Sequence, residues 1–502
     1  MFDKIFRLGK EAVIYGLSSI VGRFINFLLV PFYTNYLTKS ENGISANVYA
    51  FVTFAFIIYS YGMESAYMRH VATLELGDKK QNFSTPFFSL IVSSICFSLL
   101  ISFFAVPIAE WEFVNVGAAR APLIQYAGWI LFFDTLTVIP FASLRMSNRA
   151  KVFAGLRILH ILFNVGFNIL FIVPLKMRTA EAIFLANLLA SALIFLVLLH
   201  YTLPQLTFRL PKGLYRELIR FGLPYIPAGL AGVAIQVVDK PILMHITQNA
   251  DLVGLYQINY RLGVIMLLFV GMFDYAWRPF FLTHAKDENA KELFSKIFSY
   301  FMISLSTILV IVSLFIDDLV RLHIGTTYFI APAYWEGLTI VPLILLSYVF
   351  LGAYISFIVG VILEKRTSFI PYVTGAGGAV SIALNYLLIP IFGIMGSAMA
   401  AVLGQLVMAI GIYYASQRFY YIPYEWNKMV RLALITTAIL GGFYLILPSM
   451  IGWQVWSLKG AMVLGFVCMI VLLKVITPTE FSKSKSLLLT MIQRKPAPSK
   501  NG

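Results

Sequence analysis

Charge is what this sequence lacks. Only 12% of its 502 residues are Asp, Glu, Lys or Arg, about half the roughly 25% of a soluble domain. Sixty per cent are apolar, 15% are aromatic, and the mean hydropathy is +0.83. This balance excludes a soluble globular enzyme and a disordered chain. Cysteine is nearly absent. Cys96 and Cys468 both lie within apolar runs, which argues against a disulfide framework and against a thiolate metal site. The histidines, His70, His160, His200, His245, His284 and His323, are scattered without HExxH or paired ligand spacing. They read as interfacial or packing residues. No GxxxxGK[ST] occurs, so the chain holds no nucleotide-driven motor.

What is present is a succession of apolar runs of about 17–25 residues, each long enough to cross a bilayer. They predict about 14 membrane spans, near 12–36, 46–67, 85–109, 121–144, 152–174, 181–200, 218–246, 253–280, 297–316, 337–362, 369–389, 394–416, 431–449 and 458–477. The first run is interrupted by Arg23 and Pro31 and is too long for a cleavable signal peptide. An even number of spans puts both termini on one side. The connections on that side hold 26 Lys and Arg residues. The opposite side holds six: Lys39, Arg120, Lys176, Arg178, Arg321 and Lys459. By the positive-inside rule both termini face the cytoplasm. No connection is long enough for an extramembrane catalytic domain; the largest outer loop runs from about Asp317 to Glu336.

The chain also matches itself at a shift of a little over 200 residues, 209–217 for most of the matched positions. Thr38, Gly62-Met63, Glu64 and Arg69 recur in order as Thr247, Gly271-Met272, Asp274 and Arg278. Upstream, Lys10-Glu11 before Gly16 matches Arg216-Glu217 before Gly222. Downstream, the segment Asn168 to Pro174 matches Asn385 to Pro390, one residue shorter. Spans 1–6 and 7–12 thus read as two copies of a six-helix lobe. Both copies start on the same side, so the repeat is parallel, with its pseudo-two-fold along the membrane normal. Lobes paired in this way serve alternating access around a cavity between them.

The paired lobes and the run Asn385…Pro390-Ile-Phe-Gly393-Ile-Met-Gly396-Ser-Ala resemble the multidrug/oligosaccharidyl-lipid/polysaccharide (MOP) flippase superfamily. Glu11-Ala-Val-Ile-Tyr-Gly16, Tyr61-Gly-Met-Glu64 and Ala276-Trp-Arg-Pro279-Phe-Phe281 resemble its polysaccharide-export (Wzx-like) branch. The resemblance covers about residues 5–420. It implies an all-α polytopic membrane protein with two parallel six-helix lobes in a MATE/MurJ-like V shape, plus two C-terminal helices. The divisions are 1–210 (N-terminal lobe), 211–420 (C-terminal lobe), 421–480 (two extra helices) and 481–502 (a basic cytoplasmic tail). It also implies a non-enzymatic flippase for undecaprenyl-diphosphate-linked oligosaccharide (O-antigen, capsule or exopolysaccharide units) in the bacterial inner membrane. No cofactor is expected beyond a coupling ion, Na+ or H+. Partners are the lipid-linked substrate, membrane lipids and the polysaccharide polymerase machinery, with no nucleic acid; the chain is expected to be a monomer.

Ionisable side chains inside spans cost about 2.5–3.5 kcal/mol on insertion scales and need a partner, water or a role. Arg23, Arg261 and Lys240 are such residues. A diphosphate matches the guanidinium fork and the ammonium point charge, so these three are expected in the cavity; the plain alternative for Arg23 and Arg261 is static pairing with Asp134, Asp239 or helix-end carbonyls. Asp134 and Asp239 are the cavity acids. Each has a second reading as a partner to a cation, and Asp134 a third as a proton or cation site. Glu64, Arg69, Asp274 and Arg278 fall near the inner ends of spans 2 and 8. Crossed pairs Glu64–Arg278 and Asp274–Arg69 would form a cytoplasmic gate; ordinary interfacial charge is the plain alternative. Two other functions remain open. A MATE-like drug or metabolite antiporter would favour an acidic cavity, and a membrane glycosyltransferase or polymerase would need a long outer loop.

The loop charges generate a test. A cysteine placed near Lys39 or Glu336 is expected to react with an impermeant label added outside, and one near Lys212 to be spared. The reverse pattern would invert the topology.

Overall fold

The computed structural model describes residues 25, 27–74, 76–325, 327–446 and 453–475. Arg23 and the tail 481–502 lie outside the described residues. The structure is helical almost throughout. Thirteen described helices are long and apolar enough to cross a membrane, and they match the thirteen predicted spans after the first.

The chain divides into two compact units, residues 1–282 with 318–420, and 283–317 with 421–502. The larger unit opens with α1 (27–36). It continues through α2 (Lys39–Ser60), α3 (Met63–Thr73), α4 (Lys79–Phe103), α5 (Ala105–Glu110), α6 (Ala121–Met146), α7 (Ala150–Ile172) and α8 (Ala180–Thr202). The predicted seventh span is broken into α9 (Lys212–Gly222), α10 (Tyr225–Val237) and α11 (Asp239–Thr247). Pro224 caps α10, and Pro241 has no N–H to return to the carbonyl of Val237, which fits the break at Val238. The eighth span is likewise split at Gly263 into α12 (Ala250–Leu262) and α13 (Val264–His284). The smaller unit is built on most of α14 (Ala290–Arg321). The larger unit resumes with a short hairpin, β1 (His323–Ile324) and β2 (Thr327–Tyr328), and a 3-10 segment Pro332–Ile340. Then come α15 (Val341–Phe357), α16 (Val359–Leu363), α17 (Phe369–Phe392) and α18 (Ile394–Phe419). In the smaller unit α19 (Trp426–Ile446) and α20 (Trp453–Leu472) pack with α14 around Val310, Leu314, Ile435 and Phe466.

Local sequence explains the joints. Thr38 has extended backbone and its hydroxyl accepts the N–H of Glu41, starting α2. Asn249 does the same for α12, accepting from Asp251 and Leu252. Asp78 and Gln81 make a reciprocal capping box on α4. The run Pro390-Ile-Phe-Gly393-Ile-Met-Gly396 is the turn between α17 and α18. Gly393 has φ +56°, and a methyl group on Gly396 would collide with the Leu388 carbonyl. Asn385 in that hairpin is fully buried. It donates to the Ser381 carbonyl at 2.8 Å and accepts from Ser397 at 2.7 Å. Its repeat partner Asn168 is equally buried and donates to the Asn164 carbonyl at 2.8 Å.

Glycine governs the contact of α2 with α12. A Cβ on Gly43 would run into the carbonyl of Ala250, and a Cβ on Gly254 into the carbonyl of Lys39. The two glycines lie 211 residues apart, and so do Lys39 and Ala250. Each partner thus presents the same surface to the other, the hallmark of a two-fold contact. Beside it, Asn35 donates to the Tyr328 carbonyl at 2.7 Å and Asn42 to the Tyr334 hydroxyl at 2.7 Å. Asn259 donates to the Tyr334 carbonyl at 3.0 Å. Glu41 accepts two bonds from Arg120 and one from the Ala180 N–H at 2.7 Å.

Valine at Gly43 or Gly254 is expected to destabilise this packing by about 1–3 kcal/mol, the usual cost of overpacking. Valine at Gly155 or Gly166, where a Cβ would meet nothing within 4 Å, serves as the control. Thermal unfolding in detergent reads the difference; equal melting of all four variants would refute the close contact.

Candidate functional site

A cavity of about 570 Å³ lies within the larger unit, lined by helices from both halves of the internal repeat. From the first half come Tyr33 of α1, Asn42 and Tyr49 of α2, His160 and Asn164 of α7, and Asn187 of α8. From the second come Gln236 of α10 and Gln257 and Arg261 of α12. Apolar walls are supplied by Phe27, Leu29, Ile161, Ile183, Ile258 and others. The α2–α12 crossing places these groups. Tyr49 follows Gly43 by six residues and Arg261 follows Gly254 by seven, so the side chains face a common space beyond the contact.

Arg261 is the one Lys or Arg lining this cavity among the described residues. The hydroxyls of Tyr33 and Tyr49 are near enough to feel its charge. No carboxylate among the described residues pairs with it. A guanidinium in a cavity lined by amides and hydroxyls, with no acid beside it among the described residues, is a strong attractor for an oxyanion.

The expected cavity acids have other partners. Asp134 of α6 accepts from the Ser191 hydroxyl at 2.6 Å, and Ser191 Oγ lies 3.3 Å from His160 Nε2. Asp134 also feels Arg157, whose guanidinium covers the Phe141 ring at 4.2 Å. Asp239 is salt-bridged to its own neighbour Lys240 at 2.8 Å and accepts from the Tyr256 hydroxyl at 2.7 Å. Lys240 sits 4.6 Å from the centre of the Tyr260 ring. Both charges are buried, and neither lines the cavity. Lys240 therefore stands apart from Arg261 and is held by protein groups. Burying a charge is tolerable when it is paired and hydrogen-bonded in this way.

The four expected gate residues are not brought together in crossed pairs among the described residues. Glu64 pairs with Arg145 of α6, within its own half. Asp274 pairs with Arg278 one turn along α13 at 2.8 Å. Arg69 lies over the Phe221 ring at 4.5 Å.

Sequence reasoning missed the uncharged part of the site. Asn164 donates to Asn187 at 3.3 Å, and Asn187 donates to the Tyr49 hydroxyl at 3.0 Å. Tyr49 stacks on Phe184 with ring centres 4.3 Å apart. His160, one of the histidines whose spacing suggests interfacial or packing roles, lines the cavity. The usable signal was amides inside apolar runs, since an Asn or Gln also costs free energy in lipid without a partner.

A family model described as polysaccharide biosynthesis protein matches residues 8–284. Comparison with curated proteins gives no match. Among solved structures the chain is similar to the lipid II flippase MurJ in an inward closed conformation. The TM-score is 0.73 at 12% identity, over 96% of this chain and 100% of the other. It is also similar to a multidrug resistance MATE family transporter of the MOP superfamily in an inward-facing conformation. Here the TM-score is 0.56 at 13% identity, over 81% of this chain and 94% of that one. An outward-facing MATE structure gives 0.54 at 15% identity, over 82% and 95%. At these identities the likeness establishes the all-α polytopic fold.

The ion pairs predict a coupling pattern. In a double-mutant cycle on thermal stability, Glu64 and Arg145 are expected to couple by about 0.2–1 kcal/mol, as half-exposed pairs do. Glu64 and Arg278 are expected to be additive. Coupling of Glu64 to Arg278 alone would reinstate the crossed pair.

Proposed function

This chain belongs to the polysaccharide biosynthesis protein family, and we propose that it is a flippase for undecaprenyl-diphosphate-linked oligosaccharide. The observation that carries the reading is Arg261, a cation in an inter-helix cavity with no carboxylate beside it among the described residues. A diphosphate supplies the missing charge and enough oxygens to engage both arms of the fork. The lipid chain stays in the bilayer while the headgroup enters the cavity. The lipid II flippase that shares the fold supports a lipid-linked headgroup as the substrate class.

Exchange of access follows from what the two halves contribute. α2 and α12 belong to different copies of the repeat and meet through the Gly43–Gly254 contact. Opening that contact, with closure at the Glu64 end of the helices, would carry the headgroup from one side to the other. Arg23, outside the described residues, is proposed as a second phosphate ligand from the first predicted span. The membrane is the bacterial inner membrane, with both termini in the cytoplasm.

Arg261→Lys is expected to lower transport per folded molecule, because it keeps charge and loses the planar fork. Arg261→Ala should lower it further, by about tenfold or more if one charge-assisted contact of about 1.5–3 kcal/mol is lost. The assay is movement of a lipid-diphosphate oligosaccharide in proteoliposomes, normalised to folded protein. Normal transport per molecule by Arg261→Ala would remove this arginine from the site and the diphosphate reading with it.

A further inference from the structure

A second groove, of about 640 Å³, runs between α4 and the α9–α10 pair, and the end of α2 also lines it. Its long walls are two helical stripes. On α4 the stripe is Thr85, Ser89, Val92 and Cys96; on α9 and its C-cap it is Lys212, Tyr215, Ile219 and Leu223. Both keep the three- and four-residue spacing of one helix face, and both lie in segments long and apolar enough to cross a membrane. Leu214 sits beside Gly77, just ahead of α4, so the two helices start level. From Thr85 to Cys96 the α4 wall is about 16 Å long, about the depth of one leaflet of a hydrocarbon core of about 30 Å. The chemistry changes in order along that depth. At the mouth Lys212 is exposed and makes no ion pair among the described residues. Arg209, Arg216 and Arg220 are exposed near it in the chain, against a single acid, Glu217. Deeper in, the Tyr61 Oη lies 2.7 Å from Ser89 Oγ and accepts from Ser93 at 3.2 Å. Whichever way the first of these bonds runs, one O–H of that pair is left to donate. Beyond the hydroxyls the walls are apolar, and Val92 is 63% exposed.

Charge, then hydroxyl, then hydrocarbon is the order of groups in a phospholipid: phosphate, glycerol ester, acyl chain. We infer that this groove is a binding site for an anionic phospholipid, drawn from the leaflet at the N-terminal ends of α4 and α9, which is the cytoplasmic leaflet in the orientation proposed above. Lys212 meets the phosphate, and the surrounding arginines favour a headgroup of net negative charge over a zwitterion. The Tyr61–Ser89 pair donates to an ester carbonyl, and the chain lies along Val92, Cys96 and Phe97. A free phosphate would use the mouth alone and leave the apolar walls unused. The walls come from both copies of the repeat, α2 and α4 from the first, α9 and α10 from the second. Close by, the copies touch at Gly62 and Gly222, where a Cβ on either would run into the backbone opposite. A lipid in the groove touches both copies, so it favours the arrangement in which they meet. The inference is independent of what fills the central cavity.

The test measures the affinity of delipidated full-length protein in detergent for its first bound lipid, by native mass spectrometry. The probes are dioleoyl phosphatidylglycerol, dioleoyl phosphatidylcholine and a polyprenyl phosphate. Wild-type protein is expected to bind phosphatidylglycerol at least about fivefold more tightly than phosphatidylcholine. Lys212→Gln should bring that ratio close to one. Lys151→Gln, at another exposed lysine on the same side, should leave it unchanged. Val92→Trp fills the groove from an exposed position and should weaken both phospholipids together several-fold; Cys96→Trp repeats the test should the first variant melt early. Equal affinity of wild type for the two phospholipids would overturn the site, and so would a ratio lowered as much by Lys151→Gln as by Lys212→Gln. Undiminished binding in both tryptophan variants would put the lipid elsewhere and overturn the groove. Tighter binding of the polyprenyl phosphate than of phosphatidylglycerol, lost in Val92→Trp, would assign the groove to a carrier lipid and refute the phospholipid.

Discussion

Helices α2 and α12 meet backbone to backbone, and two missing Cβ atoms permit it. Gly43 lets α2 sit against the carbonyl of Ala250, and Gly254 lets α12 sit against the carbonyl of Lys39. What α2 and α12 present to the cavity is measured from this crossing. Tyr49 and Arg261 lie about 9–10 Å further along their helices at 1.5 Å per residue. Bulkier residues at the crossing would spread the walls. Small residues matter here for the reason they matter between membrane helices generally. Lipid is as apolar as leucine, so association depends on close packing and on hydrogen bonds.

Much of the fold was legible because lipid imposes so simple a rule on sequence. A run of about 20 apolar residues has few alternatives to a spanning helix, and the thirteen described spans fall where those runs fall. Interruptions were legible only in part. The density of Pro224, Pro227, Gly229, Gly232 and Pro241 in the seventh span marks it as irregular. The places where it breaks depend on which backbone groups find partners, and composition does not report that. The repeat was visible as an ordered set of weak matches. Its sharpest structural expression, the reciprocal glycine contact, involves positions 43 and 254, which no motif marked.

The site was legible in proportion to charge. Arg261 stood out because a guanidinium at membrane depth needs a reason. Lys240 stood out on the same ground, and in the structure it is paired with Asp239, the adjacent residue, with Tyr256 and Tyr260 around the pair. Pairing by repeat equivalence suggested Arg278 for Glu64. The passage of α6 beside α3 supplies Arg145 instead, and helix neighbours of that kind are invisible until spans are packed. Asparagine and glutamine went unread for another reason. In one dimension an amide in an apolar run looks like noise. In three dimensions Asn164, Asn187, Gln236 and Gln257 face the same cavity.

The pair Asp239–Lys240 has an electrical consequence. Its two charges belong to neighbouring residues on one short helix, buried together. Any displacement of α11 carries a dipole and no net charge through the membrane field. Arg261 is different, because its charge is unmatched by any described carboxylate. One elementary charge crossing the full field exchanges about 2.3 kcal/mol with the membrane potential per 100 mV. Of these three charges, then, Arg261 alone would exchange energy as a net charge with the membrane potential if its helix moved.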